Sequence, residues 1–415
     1  MRIGIVGLGY VGLPLAVAFC EAGHEVVGVD VDARLVEALS RGESQVEDVP
    51  DEALQRIAER FEATTRYADL AQVEAVIVAV PTPLTENREP DLQPLVAAGT
   101  SLAGVLQEGQ LVVLESTTFP GTTRERLVPM LEESGLAAER DFFVAYSPER
   151  VDPGRTDHSL RTTPKVVGAM TSESLERAVA LYEPVCDHVM PVSTPEVAEL
   201  TKLLENVFRS VNIALVNELA ILCDRMGVDI WEVVEAAATK PYGFMSFKPG
   251  PGMGGHCLPV DPFYLAWRAR EFDQPTEFIE LAGEVNQRMP YFCVEKIGRA
   301  LNDHSRPING SRIAVVGVSY KAGVGDLRES PGLKIIRLLH DQGAELVYHD
   351  EFVAELGDFG LTSEPLDRLL EGADCVAIVT AHPGLDVERI VSTAPLVVDF
   401  RGVTRGIEAP NLVRL

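Results

Sequence analysis

Apolar residues recur along this chain in two patterns, short uninterrupted runs and stripes with helical spacing. The short runs are typical of strands that are buried on both faces of a parallel sheet. They alternate with helical segments near both ends of the chain, which predicts an α/β fold with two doubly wound parallel sheets. The predicted strands are residues 3–7, 24–30, 75–80, 111–114, 142–145, 312–317, 345–348, 375–379 and 396–399.

The middle of the chain predicts one long helix. Thr194 is placed as its N-cap, Pro195 stands at the first helical position, and Gly227 follows the last periodic residue. A helix of about 30 residues measures roughly 45 Å, a length suited to a spacer or to a dimer interface. We expect its apolar stripe to be buried. The stripe consists of Leu200, Leu204, Val207, Val211, Leu215, Leu219 and Leu222.

These elements predict three domains, at residues 1–192, 193–300 and 301–415. The first and the last would be Rossmann-like, and a central helical domain would join them. Lys202, Asn206 and Arg209 share a second face of the long helix. A polar triple of this kind is by default a solvated edge, and Asn217 is expected on the helix surface.

The first predicted strand leads into a glycine pattern and then a helix. Gly7 allows a tight turn, Gly9 lets a diphosphate approach the backbone, and Gly12 lets the helix pack on the strand. Asp30 ends the second strand, where a carboxylate binds an adenosine ribose and repels a 2′-phosphate. The sequence therefore predicts an NAD site rather than an NADP site. Its turn residues are Gly7, Gly9, Tyr10, Val11 and Gly12.

Polar residues follow several of the buried strands. Because ligands bind outside the carboxyl ends of parallel strands, we expect Thr82, Ser116, Thr117 and Glu149 to face one crevice beside the nicotinamide. Any one of them alone is more often a turn residue. The last domain lacks the glycine pattern, but its first strand is followed by two cations, Lys321 and Arg328, that suit phosphate or carboxylate groups. The alternative for this pair is a salt bridge between domains.

A loop of residues 248–261 combines glycines and prolines with Cys257 and Asp261. These residues exclude a helix or a central strand. Bare backbone next to a thiol suggests covalent chemistry on a bound ligand, although a lone cysteine is more often structural. A lysine near such a loop, such as Lys202, would be placed to act on a substrate.

Composition narrows the function classes further. The 415 residues carry a formal net charge of −27, which argues against nucleic acid and anionic membranes as partners. Six dispersed cysteines provide neither a disulfide framework nor the spacing of zinc ligands. The chain opens directly on a strand pattern, and we expect no apolar run to reach membrane-spanning length. These features predict a soluble cytoplasmic protein.

Six motifs follow one another along the chain. They are Gly7-x-Gly9-x-x-Gly12, Glu115-Ser-Thr-Thr118, Ser147-Pro-Glu149-Arg-Val-x-Pro-Gly154, Lys202-x-x-x-Asn206, Gly254-Gly-His-Cys257-x-x-x-Asp261 and Lys321-x-x-x-x-Asp326-x-Arg328-Glu-Ser-Pro331. In this order they resemble the UDP-glucose/GDP-mannose dehydrogenase family over essentially the whole chain. The run from Lys240 to Cys257 looks most like the UDP-N-acetylglucosamine 6-dehydrogenase branch.

The resemblance implies NAD-dependent, four-electron oxidation of the C6 hydroxyl of a UDP-sugar. Lys202, directly or through a water held by Asp261 and Thr117, would remove the hydroxyl proton. Cys257 would trap the aldehyde as a thiohemiacetal, and the resulting thioester would be hydrolysed with Glu149 or Asp261 as base. The expected catalytic residues are Cys257, Lys202, Asn206, Asp261, Glu149 and Thr117.

Further residues are expected to bind the two ligands. The cofactor would contact the glycine turn, Asp30, Thr82, Ser116, Thr117 and Lys321. The UDP-sugar would contact Glu149, Arg150, Val151, Lys202, Asn206, Arg209, Lys248, Gly250, Gly252, Gly254 and Arg328. The chain would form a homodimer through the central helix.

Three alternatives remain open at this point. The substrate could be UDP-N-acetylmannosamine or UDP-glucose, because these sugars require the same catalytic residues. A two-electron hydroxyacid dehydrogenase of similar build would use the helix lysine without the cysteine. An NAD-binding protein without activity is disfavoured, because no expected catalytic side chain is missing.

Overall fold

The computed structural model describes residues 1–46, 48–85, 89–150, 158–255 and 258–415. They divide into an N-terminal unit, Met1–Glu205 with Phe263–Gln274, and a C-terminal unit, Asn206–Pro262 with Pro275–Leu415. Each unit contains one large sheet and is described by itself.

The N-terminal unit is built on an eight-stranded sheet in the order β3-β2-β1-β4-β5-β6-β7-β8. Neighbouring strands are parallel except β6 and β7, where Ala145 pairs with Ala169 in the antiparallel sense. The strands are β1 Arg2–Val6, β2 Glu25–Val29, β3 Phe61–Thr64, β4 Ala75–Val78, β5 Leu111–Leu114, β6 Phe143–Tyr146, β7 Lys165–Ala169 and β8 Val189–Val192. The helices are α1 Gly12–Glu21, α2 Ala33–Ser40, α3 Asp51–Ile57, α4 Gln93–Ala103, α5 Val128–Glu132 and α6 Ser172–Tyr182.

Alternate residues of the central strands enter two different hydrophobic clusters. On β4, Ala75 and Ile77 join one cluster, and Val76 and Val78 join the other. Both faces of this sheet are therefore covered, which explains why its strands are uninterrupted apolar runs.

The C-terminal unit contains a second, five-stranded parallel sheet in the order β10-β9-β13-β14-β15. Two long helices span much of the middle of the chain, and the second has Pro290 inside it. The remaining helices of the chain are α7 Pro195–Met226, α8 Ile230–Ala238, α9 Asp261–Arg270, α10 Glu277–Asp303, α11 Pro331–Asp341, α12 Leu366–Leu370 and α13 Val387–Thr393. The first part of α7, up to Glu205, and most of α9 belong to the N-terminal unit. The strands are β9 Arg312–Val316, β10 Glu345–His349, β11 Glu355–Leu356, β12 Leu361–Thr362, β13 Cys375–Ile378, β14 Val397–Asp399 and β15 Leu412–Arg414.

The predicted fold class is confirmed, and each predicted strand is present with its ends within two residues. The reversed strand β7 and the second long helix α10 were not predicted. The division into three domains stays a prediction.

The prediction that the leucine stripe of α7 is buried is wrong for the single chain. Leu204, Leu215 and Leu222 are 63%, 56% and 50% exposed. The buried residues of α7 follow a different line, which is mainly small or polar. They include Ala198, Lys202, Asn206, Ser210, Ala214, Asn217 and Ala220. Helical spacing shows that residues share a face, but it does not show which face is covered.

Helix α7 also has the length and apolar composition of a membrane span, although only 33% of its most apolar window is buried. The expectation that no segment reaches this length is therefore wrong. The match rests on length and composition alone, and core helices of soluble proteins meet the same criterion.

Candidate active site

The turn between β1 and α1 has the shape that a dinucleotide requires. Gly7 has a φ of +94°, and a Cβ on Gly12 would lie 1.8 Å from the Gly7 carbonyl oxygen. A Cβ on Gly9, in contrast, would have no described atom within 4 Å. The first and third glycines are thus required by the fold, while the second leaves an open surface. These features fit a diphosphate at the N-terminus of α1.

Asp30 lies beside this turn. One carboxylate oxygen accepts a hydrogen bond from the Leu8 amide at 2.8 Å, and the other accepts from the Asp32 amide at 3.0 Å. The carboxylate is half-buried and keeps lone pairs that suit the hydroxyls of a ribose. Tyr10 and Val11 complete the turn, and Tyr10 is exposed.

The polar residues after β4 and β5 lie together in the N-terminal unit, and their predicted place beside the nicotinamide stays a prediction. Thr82 donates its hydroxyl to the Thr117 carbonyl at 2.7 Å, and Ser116 donates to the Val80 carbonyl at 2.7 Å. Tyr264 donates to the Thr82 carbonyl at 2.8 Å. These hydroxyls connect the two strand ends, so their first role is to fix the backbone at this edge of the sheet.

Lys202 is buried, and its ammonium donates to the main-chain carbonyl of Glu149 at 2.6 Å. The prediction of a solvated polar edge is therefore wrong for this residue. Arg150 donates its amide to the Glu149 carboxylate at 2.7 Å, while its guanidinium pairs with Glu205 at 2.6 Å. The structure thus brings Lys202, Glu149 and Arg150 together in the N-terminal unit.

A buried charge cluster that the sequence analysis missed lies on the other side of Glu149. The Lys165 ammonium is 2.8 Å from the Glu115 carboxylate and 3.7 Å from that of Glu149. Tyr182 donates its hydroxyl to Glu115. Burial lowers the pKa of Lys165, but the charges of Glu115 and Glu149 outweigh this effect and raise it, so the ammonium keeps its proton. A lysine that opens the otherwise apolar run of residues 165–169 was the available signal.

In the C-terminal unit, Asn206 donates its side-chain amide to the carboxylate of Asp261, and both residues are buried. Asp261 is the first residue of α9, and Asn206 lies four residues after Lys202 on α7. Arg209, one turn further along α7, is exposed. Two members of the polar stripe are thus buried, and the third is not.

The glycine loop packs closely against other residues of the C-terminal unit. The Gly250 amide donates to the Asn217 side chain at 3.0 Å, so the expectation that Asn217 lies on the surface is wrong. A Cβ on Gly254 would lie 2.8 Å from the Cβ of Tyr320. The Gly255 amide donates to the Arg328 carbonyl at 3.0 Å. Gly252 has a φ of +132°. Cys257, and likewise Val151 in the motif after β6, lie outside the described residues.

The loop after β9 carries the two predicted cations of the C-terminal unit. Arg328 is exposed and forms a bidentate pair with Asp326 in its own loop, its terminal nitrogen 2.6 Å from the carboxylate. Lys321 is half-buried, and Lys248 in the glycine loop is exposed. The roles that the sequence predicts for these residues stay predictions.

Three models of one family match the chain in order. They describe the NAD binding domain of the UDP-glucose/GDP-mannose dehydrogenase family at residues 1–186, its central domain at 196–288 and its UDP binding domain at 314–406.

Individual relatives are named for different sugars. The chain is 35% identical to a UDP-N-acetyl-D-mannosamine dehydrogenase of Pyrococcus horikoshii, covering 98% of this chain and 100% of the relative. It is 37% identical to a UDP-N-acetyl-D-glucosamine 6-dehydrogenase of Pseudomonas aeruginosa, covering 92% and 90%. A solved structure of UDP-D-ManNAc dehydrogenase from Pyrococcus horikoshii has a TM-score of 0.92 at 34% identity, covering 100% of this chain and 98% of that chain.

Proposed function

The chain belongs to the UDP-glucose/GDP-mannose dehydrogenase family, and we propose that it oxidises the C6 hydroxyl of UDP-N-acetylglucosamine to the uronic acid. It is an NAD-dependent dehydrogenase that acts on a CH–OH group of a UDP-sugar. The interpretation as an NAD-binding protein without activity is therefore wrong. The observation that carries the proposed C6 oxidation is the burial of Lys202 and Asn206 one turn apart on α7. The choice of sugar rests on the run from Lys240 to Cys257 in the sequence.

The proposed chemistry needs a base, a nucleophile and groups that stabilise an oxyanion. Lys202 removes the hydroxyl proton, directly or through a water held by Asp261 and Thr117. Bound NAD⁺ supplies the acceptor for the hydride in each of two oxidations. Cys257 adds to the C6 aldehyde, which keeps it on the enzyme between these steps. Lys202 and Asn206 stabilise the oxyanion.

Release of the product needs a water activated by a carboxylate. Glu149 and Asp261 are the two candidates, and each is held by a polar neighbour in its own unit. The Glu149 carboxylate accepts from the Arg150 amide and lies 3.7 Å from the Lys165 ammonium. Asp261 accepts from Asn206. We assign the hydrolytic step to Glu149, because Asp261 is already assigned to the first proton transfer.

The UDP-sugar is proposed to contact Arg209, Lys248, Arg328 and the glycine loop. Residues 240–247 precede that loop and include exposed side chains, with Tyr242 at 73% and Met245 at 64%. Large exposed apolar side chains next to a glycine loop suit the recognition of an N-acetyl group. We therefore propose that this segment selects an N-acetylated sugar over glucose.

The exposed stripe of α7 supports a homodimer through this helix. A row of exposed leucines on one helix is unusual for a monomer, and dimer interfaces have an apolar core. Phe278 and Leu281, near the start of α10 in the C-terminal unit, are also exposed, at 80% and 54%. We further propose that the enzyme works in the cytoplasm, because its six dispersed cysteines do not form the pattern of a disulfide framework.

The experiment is a screen of UDP-sugars with NAD⁺ that measures NADH formed per product. We expect two NADH per uronic acid and the highest kcat/KM with UDP-N-acetylglucosamine. One NADH per product would favour the two-electron hydroxyacid dehydrogenase. A higher kcat/KM with UDP-N-acetylmannosamine or UDP-glucose would identify that sugar as the substrate, and the proposed oxidation at C6 would still stand.

Replacement of the thiol tests the covalent step. Cys257→Ser should lower net turnover at least about 1,000-fold, because a serine ester cannot be formed and hydrolysed in the same way. NAD⁺ binding, measured by fluorescence titration, should stay unchanged. Uronic acid production near the wild-type rate would contradict the covalent scheme.

A further inference from the structure

Hydrogen bonds hold the first half of the long loop between β9 and α11. Thr380, just after β13, donates its hydroxyl to the Ser319 carbonyl at 2.7 Å, and Ser319 donates its own hydroxyl to the Lys321 carbonyl at 2.9 Å. The Tyr320 amide donates to the Asp326 carbonyl at 3.0 Å. The loop is thus tied to the carboxyl end of β13 and closed on itself.

His382 adds a further anchor at the centre of this loop. It follows β13, the strand next to β9, and it is buried beneath the ring of Phe352, with 4.7 Å between the two ring centroids. Its Nδ1 atom accepts a hydrogen bond from the Gly323 amide at 3.0 Å. Its Nε2 atom lies 3.0 Å from the Asp350 carboxylate and 3.3 Å from the Ser319 hydroxyl. The imidazole thus joins the loop to the carboxylate that accepts from the turn after β9.

The partners of the His382 ring determine which of its nitrogens donates. A backbone amide can only donate, so Nδ1 is the acceptor for Gly323. Nε2 therefore carries the hydrogen and donates it to the Asp350 carboxylate. The Ser319 hydroxyl donates to the Lys321 carbonyl, so toward the ring it can only accept from Nε2. The two nitrogens thus have separate tasks, because Nδ1 holds the loop and Nε2 holds the ring in place.

We infer that His382 is a positioning residue for the substrate, because its Nδ1 atom holds the loop of residues 318–330 in the shape that binds the diphosphate of UDP. This inference rests on the proposed contact of Arg328 with the UDP-sugar. The loop lies within residues 314–406, which match the UDP binding domain of the family. Lys321 and Arg328 stand on either side of Gly323 in the chain, so release of the Gly323 amide loosens the loop between its two cations.

Two substitutions separate the tasks of the two ring nitrogens. The amide oxygen of asparagine lies near the position of Nδ1, and the amide nitrogen of glutamine lies near that of Nε2. The test is calorimetric titration of the full-length enzyme with UDP, which every candidate substrate contains. His382→Gln should raise the Kd for UDP about fivefold or more, because Gly323 loses its acceptor. His382→Asn keeps that acceptor and should stay within about twofold of the wild-type Kd.

A purely structural role for His382 would give a different pattern. If both variants lost UDP affinity to the same extent, the choice of nitrogen would not matter and the inference would be wrong. Wild-type affinity in His382→Gln would also overturn it. A loss confined to NAD⁺ affinity would assign the loop to the cofactor, as the sequence predicts for Lys321, and would overturn it as well. His382→Ser is a second variant without an acceptor in reach of Gly323, so the test does not depend on the folding of one variant.

Arg328→Ala separates this inference from the proposed function. If that variant binds UDP as the wild-type enzyme does, the proposed contact of Arg328 fails and the inference fails with it. If it loses at least about tenfold in UDP affinity while His382→Gln binds UDP normally, the contact stands and the inference about His382 fails. In the double variant, His382→Gln should add less than about twofold to the loss caused by Arg328→Ala, because both act on one contact. Fully additive losses would show that His382 acts elsewhere.

Discussion

Each of the two large sheets begins with the same glycine turn. The Gly7 amide donates to the Val29 carbonyl and the Gly317 amide to the His349 carbonyl, both at 2.8 Å. Both glycines have a positive φ, +94° and +76°, at the end of the first strand of their sheet. A side chain would collide with backbone at either position. The fold therefore requires both turns before any ligand is considered.

The acidic residue after the second strand is also shared, but its surroundings differ. The Asp30 carboxylate accepts from the Leu8 amide at 2.8 Å, and that of Asp350 accepts from the Val318 amide at 2.7 Å. Asp30 is half-buried, whereas Asp350 is 3% exposed and contacts His382 at 3.0 Å. The Asp350 carboxylate is thus already occupied by a histidine that follows another strand.

The connection to the following helix differs as well. Residues 8–11 separate the first turn from α1, whereas residues 318–330 separate the second turn from α11. The longer loop carries Lys321 and Arg328. This type of turn can thus bind a dinucleotide when the loop to the following helix is short and the carboxylate is accessible. A long loop over a closed carboxylate can instead present cations to a different ligand.

The largest effects should come from the glycines that the fold requires. Gly12→Ala should destabilise the protein by about 3 kcal/mol or more and abolish activity, because its Cβ would lie 1.8 Å from a carbonyl oxygen. Gly317→Ala, with its Cβ 1.9 Å from the Thr380 carbonyl oxygen, should be as damaging. Gly9→Ala is the matched control. It should keep the wild-type melting temperature and raise the KM for NAD⁺ at least about tenfold.

Thermal denaturation and NAD⁺ kinetics distinguish these variants. If Gly12→Ala melted at the wild-type temperature, the close contact in the first turn would be wrong. If Gly9→Ala bound NAD⁺ normally, the open surface beside Gly9 would not be the diphosphate site.

The two carboxylates should respond in opposite ways to removal. Asp30→Ala should raise the KM for NAD⁺ roughly tenfold or more, with a small loss of stability from two backbone amides. Asp350→Ala should leave that KM unchanged and cost about 2–3 kcal/mol, because it leaves His382 and the Val318 amide without their acceptor. If Asp350→Ala raised the KM for NAD⁺ and Asp30→Ala left it unchanged, the comparison between the two turns would be wrong.

The smallest effect concerns the response of two buried carboxylates to pH. Burial raises the pKa of Glu199 to about 7, although hydrogen bonds from Thr123 and Gly121 lower it. Burial also acts to raise the pKa of Asp350, but hydrogen bonds from His382 and the Val318 amide lower it overall. Glu199 should thus lose its contribution to stability as pH rises from about 4.5 to about 7, and Asp350 as pH falls below about 3.8.

Melting temperatures measured against pH test these signs. Glu199→Gln should remove a decline of a few degrees between about pH 4.5 and pH 7. Asp350→Asn should remove part of the loss of stability that occurs in acid. A decline that persists in Glu199→Gln would show that another group causes it.

Much of the cofactor site could be predicted from the sequence, because its requirements are local. Positive φ, a missing side chain and a carboxylate at the end of a strand are all visible in the identities of Gly7, Gly12 and Asp30. The ends of α7 were predictable for the same reason, since Thr194 and Gly227 act within one turn of it.

The exposed face of α7 could not be predicted, because periodicity is the same for a core and for an interface. Leu215 and Leu219 have the spacing of core residues, yet the described chain leaves them 56% and 41% exposed. Asn217 lies between them in sequence and is fully buried. Its partners, Asn286 and Gly250, are 69 and 33 residues away, so no local pattern indicates the network.

The charge cluster at Lys165 was missed for a topological reason. A lysine at the start of a strand normally lies at the edge opposite to the ligand, because parallel strands bind ligands at their carboxyl ends. Only the reversal of β7 relative to β6 brings it to the same edge as Glu115 and Glu149. The direction of a strand depends on its pairing partners, which the sequence of β7 does not specify.

The reversal of β7 also has a consequence for how this enzyme can vary. Loops at the ligand edge tolerate insertions and deletions, and residues carried by them move when the length changes. Lys165 is instead held by the hydrogen-bond ladder between β7 and β8, starting at its pair with Val189. A change in the length of the chain before Lys165 should therefore leave its ammonium beside Glu115.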